Sequence, residues 1–257
     1  MQPVLTITGL RKSFGPVEAL RSVDLTLHPG EVLALVGDNG AGKSTLIKHI
    51  SGVYRADAGT MTLEGRPLDL ATPRQARELG IETVYQDLAL ADDLSIGANI
   101  FLGREPMRRA FGILPIIDNH AIQTETTALL DRLGSHIPAK TRTVKRLSGG
   151  QRQAVAIARA IYWKAKVVLM DEPTAALAVM ERQNVIRYAR ELAAAGAGVI
   201  YIGHNLVEIL SVADRIAVMF RGTVVHVTSA EATTQERLIK YMTGFNDADM
   251  KTGETAA

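Results

Sequence analysis

Four short runs along the chain are apolar at every position: residues 32–36 (VLALV), 167–170 (VVLM), 199–202 (VIYI) and 216–219 (IAVM). A strand with one wet face alternates apolar and polar side chains. Unbroken runs of this length therefore predict strands buried on both faces, as in a parallel sheet covered by helices. The segments between them carry helical spacing. Over residues 151–163, Ala154, Ile157, Ala158 and Ile161 recur at i, i+3, i+4 and i+7, with Arg152 and Arg159 on other faces, which predicts an amphipathic helix. Ahead of the first buried run, PVLTITGL and SVDLTLHPGE alternate apolar and polar residues and Pro29-Gly30 reads as a turn. They predict a small N-terminal antiparallel sheet, which residues 60–63 can join. The middle, about residues 87–146, has few β-branched runs and helix-like stretches such as 119–133, and reads as a helical lobe inserted between strands. The fold class is α/β with a central, mostly parallel sheet. The end, NDADMKTGETAA, is polar and small and reads as a frayed tail.

Composition narrows this picture by exclusion. A chain of 257 residues, 47% hydrophobic, suits one packed domain with a smaller lobe. Basic and acidic residues nearly cancel to +2, which announces neither a nucleic-acid binder nor an acidic tail. With no cysteine, disulfides and thiolate metal sites are excluded. The start, MQPVLTITGLRK, lacks the charged and apolar regions of a signal peptide. No apolar run approaches the ~18 residues of a membrane span. The expectation is a soluble intracellular protein, free to dock on a membrane protein.

The chemistry starts directly after the first buried run. Gly37-Asp38-Asn39-Gly40-Ala41-Gly42-Lys43-Ser44-Thr45 fits G-x-x-x-x-G-K-[ST] between a strand and a helix. Glycines let successive backbone N–H groups turn toward phosphate oxygens, and the helix beginning near Lys43 adds the positive end of its dipole. Lys43 is placed to reach the β- and γ-phosphates, and Ser44 to bind Mg²⁺ through its hydroxyl. A glycine-rich helix cap would share the string but not its strand-loop-helix setting. Asp171 ends the second buried run, on the strand-end side where ligands gather in α/β sheets, and suits the metal-holding carboxylate. Glu172 leaves the strand in another direction, which frees it to orient or deprotonate the attacking water. A second helix start, Leu147-Ser148-Gly149-Gly150-Gln151, offers a serine N-cap and bare glycine amides, a further anion-reading end.

The string LSGGQRQAVAIARA, roughly twenty residues before the aspartate strand of a phosphate-loop protein, is far more specific than its parts. The chain resembles the nucleotide-binding subunits of ABC transporters. The series Phe14, Gly37 to Thr45, Gln86, Leu147 to Gln151, Asp171-Glu172 and His204 follows that family's order and spacing. The resemblance implies one ABC ATPase domain over residues 1–246, with a helical subdomain at about 87–160 and a tail at 247–257. It also implies a head-to-tail homodimer in which Ser148 and Gly150 of one copy, with Gly149 and Gln151, meet the γ-phosphate held by Lys43 of the other. Phe14 would stack on adenine, a contact of little base specificity that does not exclude GTP. Gln86 would contact Mg²⁺ and the water, and His204 the γ-phosphate.

Further strings, GIETVYQDLAL, LSIGANIFLGRE and HNLVEILSVADRI, resemble the importer branch handling ribose, xylose and fructose, in its single-domain form. That implies Mg-ATP hydrolysis driving monosaccharide uptake through an integral membrane permease fed by a secreted or periplasmic sugar-binding protein. The chain would sit peripherally on the cytoplasmic face of the inner membrane, with no nucleic-acid partner. Leu88, Leu90, Leu94 and Ile96 would receive a short permease helix. One departure stands out: the family's S-A-L-D loop reads Ala175-Ala176-Leu177-Ala178, without the aspartate. The rivals are an ABC ATPase acting on ribosomes or DNA, which would carry a charged inter-domain linker or a long coiled coil, and a small-molecule kinase, which would not explain LSGGQRQ.

Overall fold

The structure, a computed structural model, describes residues 2–85, 88–110, 113–134, 137, 143–175 and 177–245. Two long strands open the chain, β1 (Leu5–Phe14) and β2 (Val17–Leu27), then β3 (Val32–Gly37) and α1 (Lys43–Ile50). After β4 (Ala58–Leu63), the short β5 (Arg66–Pro67) and α2 (Pro73–Glu78), the chain enters β6 (Ile81–Val84). The middle holds α3 (Ile96–Phe101), β7 (Met107–Ala110), β8 (Leu114–Ile117), α4 (Asn119–Arg132) and α5 (Gly149–Tyr162). Then follow β9 (Val167–Asp171), α6 (Val179–Ala194), β10 (Gly198–Ile202), α7 (Leu206–Val212), β11 (Arg215–Phe220), β12 (Thr223–Ser229) and α8 (Gln235–Met242).

All four unbroken runs lie in one six-stranded sheet, ordered β12-β11-β3-β10-β9-β6 and parallel except for β12. Their side chains divide between two cores. Val32, Ala34 and Val36 join Val168, Met170, Val199 and Tyr201 in the core under α5, α6 and α7, while Leu33 and Leu35 join Leu169, Ile200 and Ile202 in the core shared with α1. Successive strand residues point to opposite faces. A strand covered on both sides therefore favours apolar side chains at successive positions, and each buried leucine contributes roughly 1.5–3 kcal/mol. The expected antiparallel sheet is present as β2-β1-β4-β5, and it closes the α1 core with Leu5, Ile7, Leu20 and Leu27.

One element differs from the sequence reading. The middle region carries a two-stranded hairpin, β7 against β8, where only helices were expected. Its residues from Leu114 to Ile117 are all exposed, so the buried pattern that marks the other strands is missing. Arg159, on another face than the apolar stripe of its helix, is only 12% exposed, tucked 3.7 Å from Glu82 of β6. Burial lowers the guanidinium's pKa and raises that of Glu82, while each charge opposes the other's shift. Helix α5 is enclosed from Gln153 to Ala158, so even its charged face meets protein. The tail at 247–257 lies outside the described residues.

Candidate active site

The phosphate loop spans the β3 end and the α1 start. Gly42 caps α1 at φ +106°, and a Cβ there would stand 2.9 Å from the Ala19 carbonyl. At Gly37 a Cβ would come within 2.3 Å of the Met219 carbonyl, so β11 presses directly on the loop. Both approaches require glycine. Ala41 is buried and accepts the Gly222 N–H through its carbonyl, whereas Asp38, Asn39 and Gly40 are exposed at the loop's rim. Asn39 N–H donates to Asp38 Oδ1 at 2.8 Å. Lys43 Nζ donates to the carbonyls of Gly37 (2.7 Å) and Asp38 (3.1 Å), curled into the loop it serves. Its burial lowers the ammonium pKa, opposed by Glu172, Asp38 and Asp171. Ser44 is exposed at the first turn of α1 and Thr45 half-buried behind it.

Asp171 ends β9, in register with Ile202 of β10. Burial raises its carboxyl pKa and the Glu172 charge adds to that, while Lys48 and Lys43 pull it down. Glu172 follows at φ +47°, a left-handed backbone that costs a non-glycine residue of order 1–3 kcal/mol and recurs at functional sites. That turn is held by the Glu172 N–H donating to the Ile202 carbonyl, and both acids are near enough to act on the Lys43 charge. Glu172 Oε2 lies 3.7 Å from Nδ1 of His204, which is largely exposed. The residue types present suit a hard divalent cation: a hydroxyl in the first turn of α1 and a half-buried carboxylate at the end of β9, both oxygen donors.

The signature segment stands on the other side of the sheet. Ser148 caps α5 by accepting the Gln151 N–H at 3.3 Å, and Gln151 Oε1 accepts the Ser148 N–H at 3.1 Å, a reciprocal capping box. A Cβ at Gly150 would stand 2.8 Å from Glu181 Cγ and displace that side chain, and one at Gly149 would crowd Leu177 Cδ2 at 3.1 Å. Residues of α5 pack in one core and those of α1 in the other, so the two helices lie on opposite faces of the central sheet.

Phe14 is 41% exposed at the end of β1, edge-on to Tyr54 at 5.1 Å, with Lys12 Nζ 5.6 Å from its ring. Gln86 lies outside the described residues. Of the apolar residues expected to face a permease helix, Leu88 and Ile96 are buried and only Leu94 is clearly exposed. Their loop is anchored by Asn99, whose amide bonds the N–H of Ala91 and the carbonyls of Ala91 and Ser95. It is also tied to the signature helix. Arg152 pairs with Asp92 at 2.6 Å, and the N–H groups of Val144 and Lys145 donate to the carbonyls of Leu94 and Asp92.

Residue-by-residue motif reading missed a buried network. Glu208 of α7 accepts hydrogen bonds from Thr174 Oγ1 (2.7 Å) and Tyr201 Oη (2.5 Å). It thereby ties the turn after Glu172 to the strand that delivers His204. Removing this acceptor leaves the two buried hydroxyls only each other as partners, at a cost of about 1–3 kcal/mol. The signal was Tyr201 itself: a phenol inside a fully buried run requires a partner. His49 is buried, with its Nδ1 2.7 Å from the Thr45 carbonyl.

A family model described as ABC transporter matches residues 20–175. The chain belongs to the ABC transporter family. It is 47% identical to the xylose/arabinose import ATP-binding protein of Sulfolobus acidocaldarius over 99% of both chains. Identity to the fructose import ATP-binding protein of Rhizobium meliloti is 44% over 95% of both. A ribose import ATP-binding protein of Burkholderia pseudomallei is 43% identical over 95% of this chain, which covers 47% of the longer relative. Among solved structures, a nucleotide-free ATP-binding cassette from an ABC transporter superposes at TM-score 0.77 with 25% identity, covering 95% of this chain and 96% of the other. An ADP-bound ABC transporter cassette matches at TM-score 0.78 with 26% identity, over 95% and 96%. The α/β cassette fold expected from the sequence is thus the fold of this ABC protein, with its mixed central sheet and flanking antiparallel sheet.

Proposed function

We propose that this ABC protein is the ATP-hydrolysing subunit of a monosaccharide importer, working as a homodimer against the cytoplasmic face of a membrane permease. The carrying observation is geometric. The helices α1 and α5 lie on opposite faces of one sheet, and only the α1 start has a lysine and a hydroxyl. A head-to-tail pair of copies gives each phosphate loop a signature helix, an isologous arrangement with two equal sites. Sugar import rests on the printed functions of the relatives, xylose/arabinose, fructose and ribose uptake.

In this reading Phe14 stacks on the base, the amides of residues 37–45 cradle the phosphates, and Lys43 exchanges its loop carbonyls for phosphate oxygens. Ser44, Asp171 and Gln86 would hold Mg²⁺, which when bound would neutralise phosphate charge. Glu172 orients the water and takes its proton, with His204 beside it supporting the γ-phosphate. Catalysis is then positioning and electrostatics on a loose phosphoryl transition state. The helical subdomain at about 87–160 transmits closure. A permease helix pressing on the Leu94 loop moves the signature helix through Asp92–Arg152, and the reverse.

The test is reconstitution in vesicles with a candidate membrane permease and sugar-binding protein. ATP-dependent accumulation of a labelled monosaccharide is expected, abolished by Glu172→Gln. ATP turnover that ignores the permease, together with co-purification with ribosomes, would overturn the import reading.

A further inference from the structure

The loop after Glu172 lacks a carboxylate at Ala178, and a nearby one comes from the first turn of α6. Glu181 Oε1 accepts hydrogen bonds from Ser148 Oγ at 3.3 Å and from Gly150 N–H at 3.2 Å. Its other oxygen, Oε2, accepts the Ala178 N–H at 3.3 Å and so caps α6. The stem lies flat on Gly150, where a Cβ would stand 2.8 Å from Glu181 Cγ. One carboxylate therefore spans two helix starts. It occupies the donors at the α5 end that an incoming phosphate would use, with the positive dipole ends of both helices favouring it there.

We propose that Glu181 is a displaceable internal anion. It holds Ser148 and Gly150 while no partner is docked, and it must release them to the γ-phosphate presented by a second copy. This rests on the head-to-tail dimer proposed above. Two anions cannot share the same two donors, because like charges at hydrogen-bonding range repel strongly where water is excluded. Clearing the site requires the Glu181 side chain to rotate away from Gly150, and Oε2 has a further donor in the Ala178 N–H at the start of α6. The carboxylate thus sets a threshold for closure: the dimer forms only when the contacts made by the γ-phosphate outweigh those surrendered by Glu181. It acts through Ser148 and Gly150 and is a positioning residue.

The test compares Glu172→Gln, in which hydrolysis is stopped, with Glu172→Gln/Glu181→Gln and Glu172→Gln/Glu181→Ala, following dimer formation by light scattering as ATP is titrated. Both double variants should dimerise at an ATP concentration roughly fivefold or more lower. Binding of ATP to the dilute monomer should be unchanged, which a merely structural role for Glu181 would not require. The glutamine keeps the shape and an acceptor oxygen, and the alanine removes the whole group. Agreement between them assigns the shift to the lost charge. A midpoint unchanged or raised in both overturns the displaceable anion while leaving the dimer intact. If Glu172→Gln alone never dimerises with ATP, the dimer reading fails and this inference falls with it.

Discussion

Glu172→Gln is expected to bind ATP as the unaltered chain does, to lose turnover by about 10²–10⁴-fold, and to accumulate as an ATP-bound dimer. The amide keeps the size of the side chain and leaves the left-handed turn at φ +47° undisturbed. What it removes is the charge that can take a proton from water. Phosphate binding is distributed over the loop amides, Lys43 and the opposing signature helix, none of which the substitution touches, so closure persists while reopening stalls. Turnover by radiolabelled phosphate release and mass by light scattering check the two halves separately. Turnover within a few-fold of the unaltered chain would remove Glu172 from the base role.

Lys43→Ala should act one step earlier, on binding itself. Its Nζ is positioned at the mouth of the loop by the carbonyls of Gly37 and Asp38, which are free to turn to water once it is gone. The fold should therefore survive. Losing one charge-assisted contact to phosphate amounts to about 1.5–3 kcal/mol, or roughly ten- to a hundredfold in ATP affinity. Equilibrium titration with a fluorescent ATP analogue reads it directly, and unchanged affinity would discard the phosphate-loop assignment.

Most of the site could be read from the sequence because its parts are local. A phosphate loop is one turn between one strand and one helix, and its backbone demands, such as glycine at 42 against Ala19, are printed in nine consecutive letters. Asp171 was legible because the run that precedes it is buried on both faces and ends where the acid begins. Groups whose meaning depends on a distant partner were not legible. Glu208 looks like an ordinary helix acid until Thr174 and Tyr201 are seen beside it. Glu181 reads as a first-turn charge on α6 until Ser148, thirty-three positions away, is found against it. The burial of Arg159 was not legible for the same reason, its partner Glu82 lying on the strand β6. The hairpin β7–β8 escaped because its residues meet no core and so carry no burial pattern.

The central claim is that one copy's signature helix completes the phosphate loop of another. Mixing chains tests it most directly. Lys43→Ala chains and Ser148→Arg chains should each be inactive alone, since every site in either homodimer carries one defect. In an equal mixture about half the dimers pair one of each, and such a dimer has one site with both defects and one with none. The mixture should recover roughly a quarter of the unaltered ATPase activity if the two sites fire independently. A mixture no more active than its separate components would contradict the shared site.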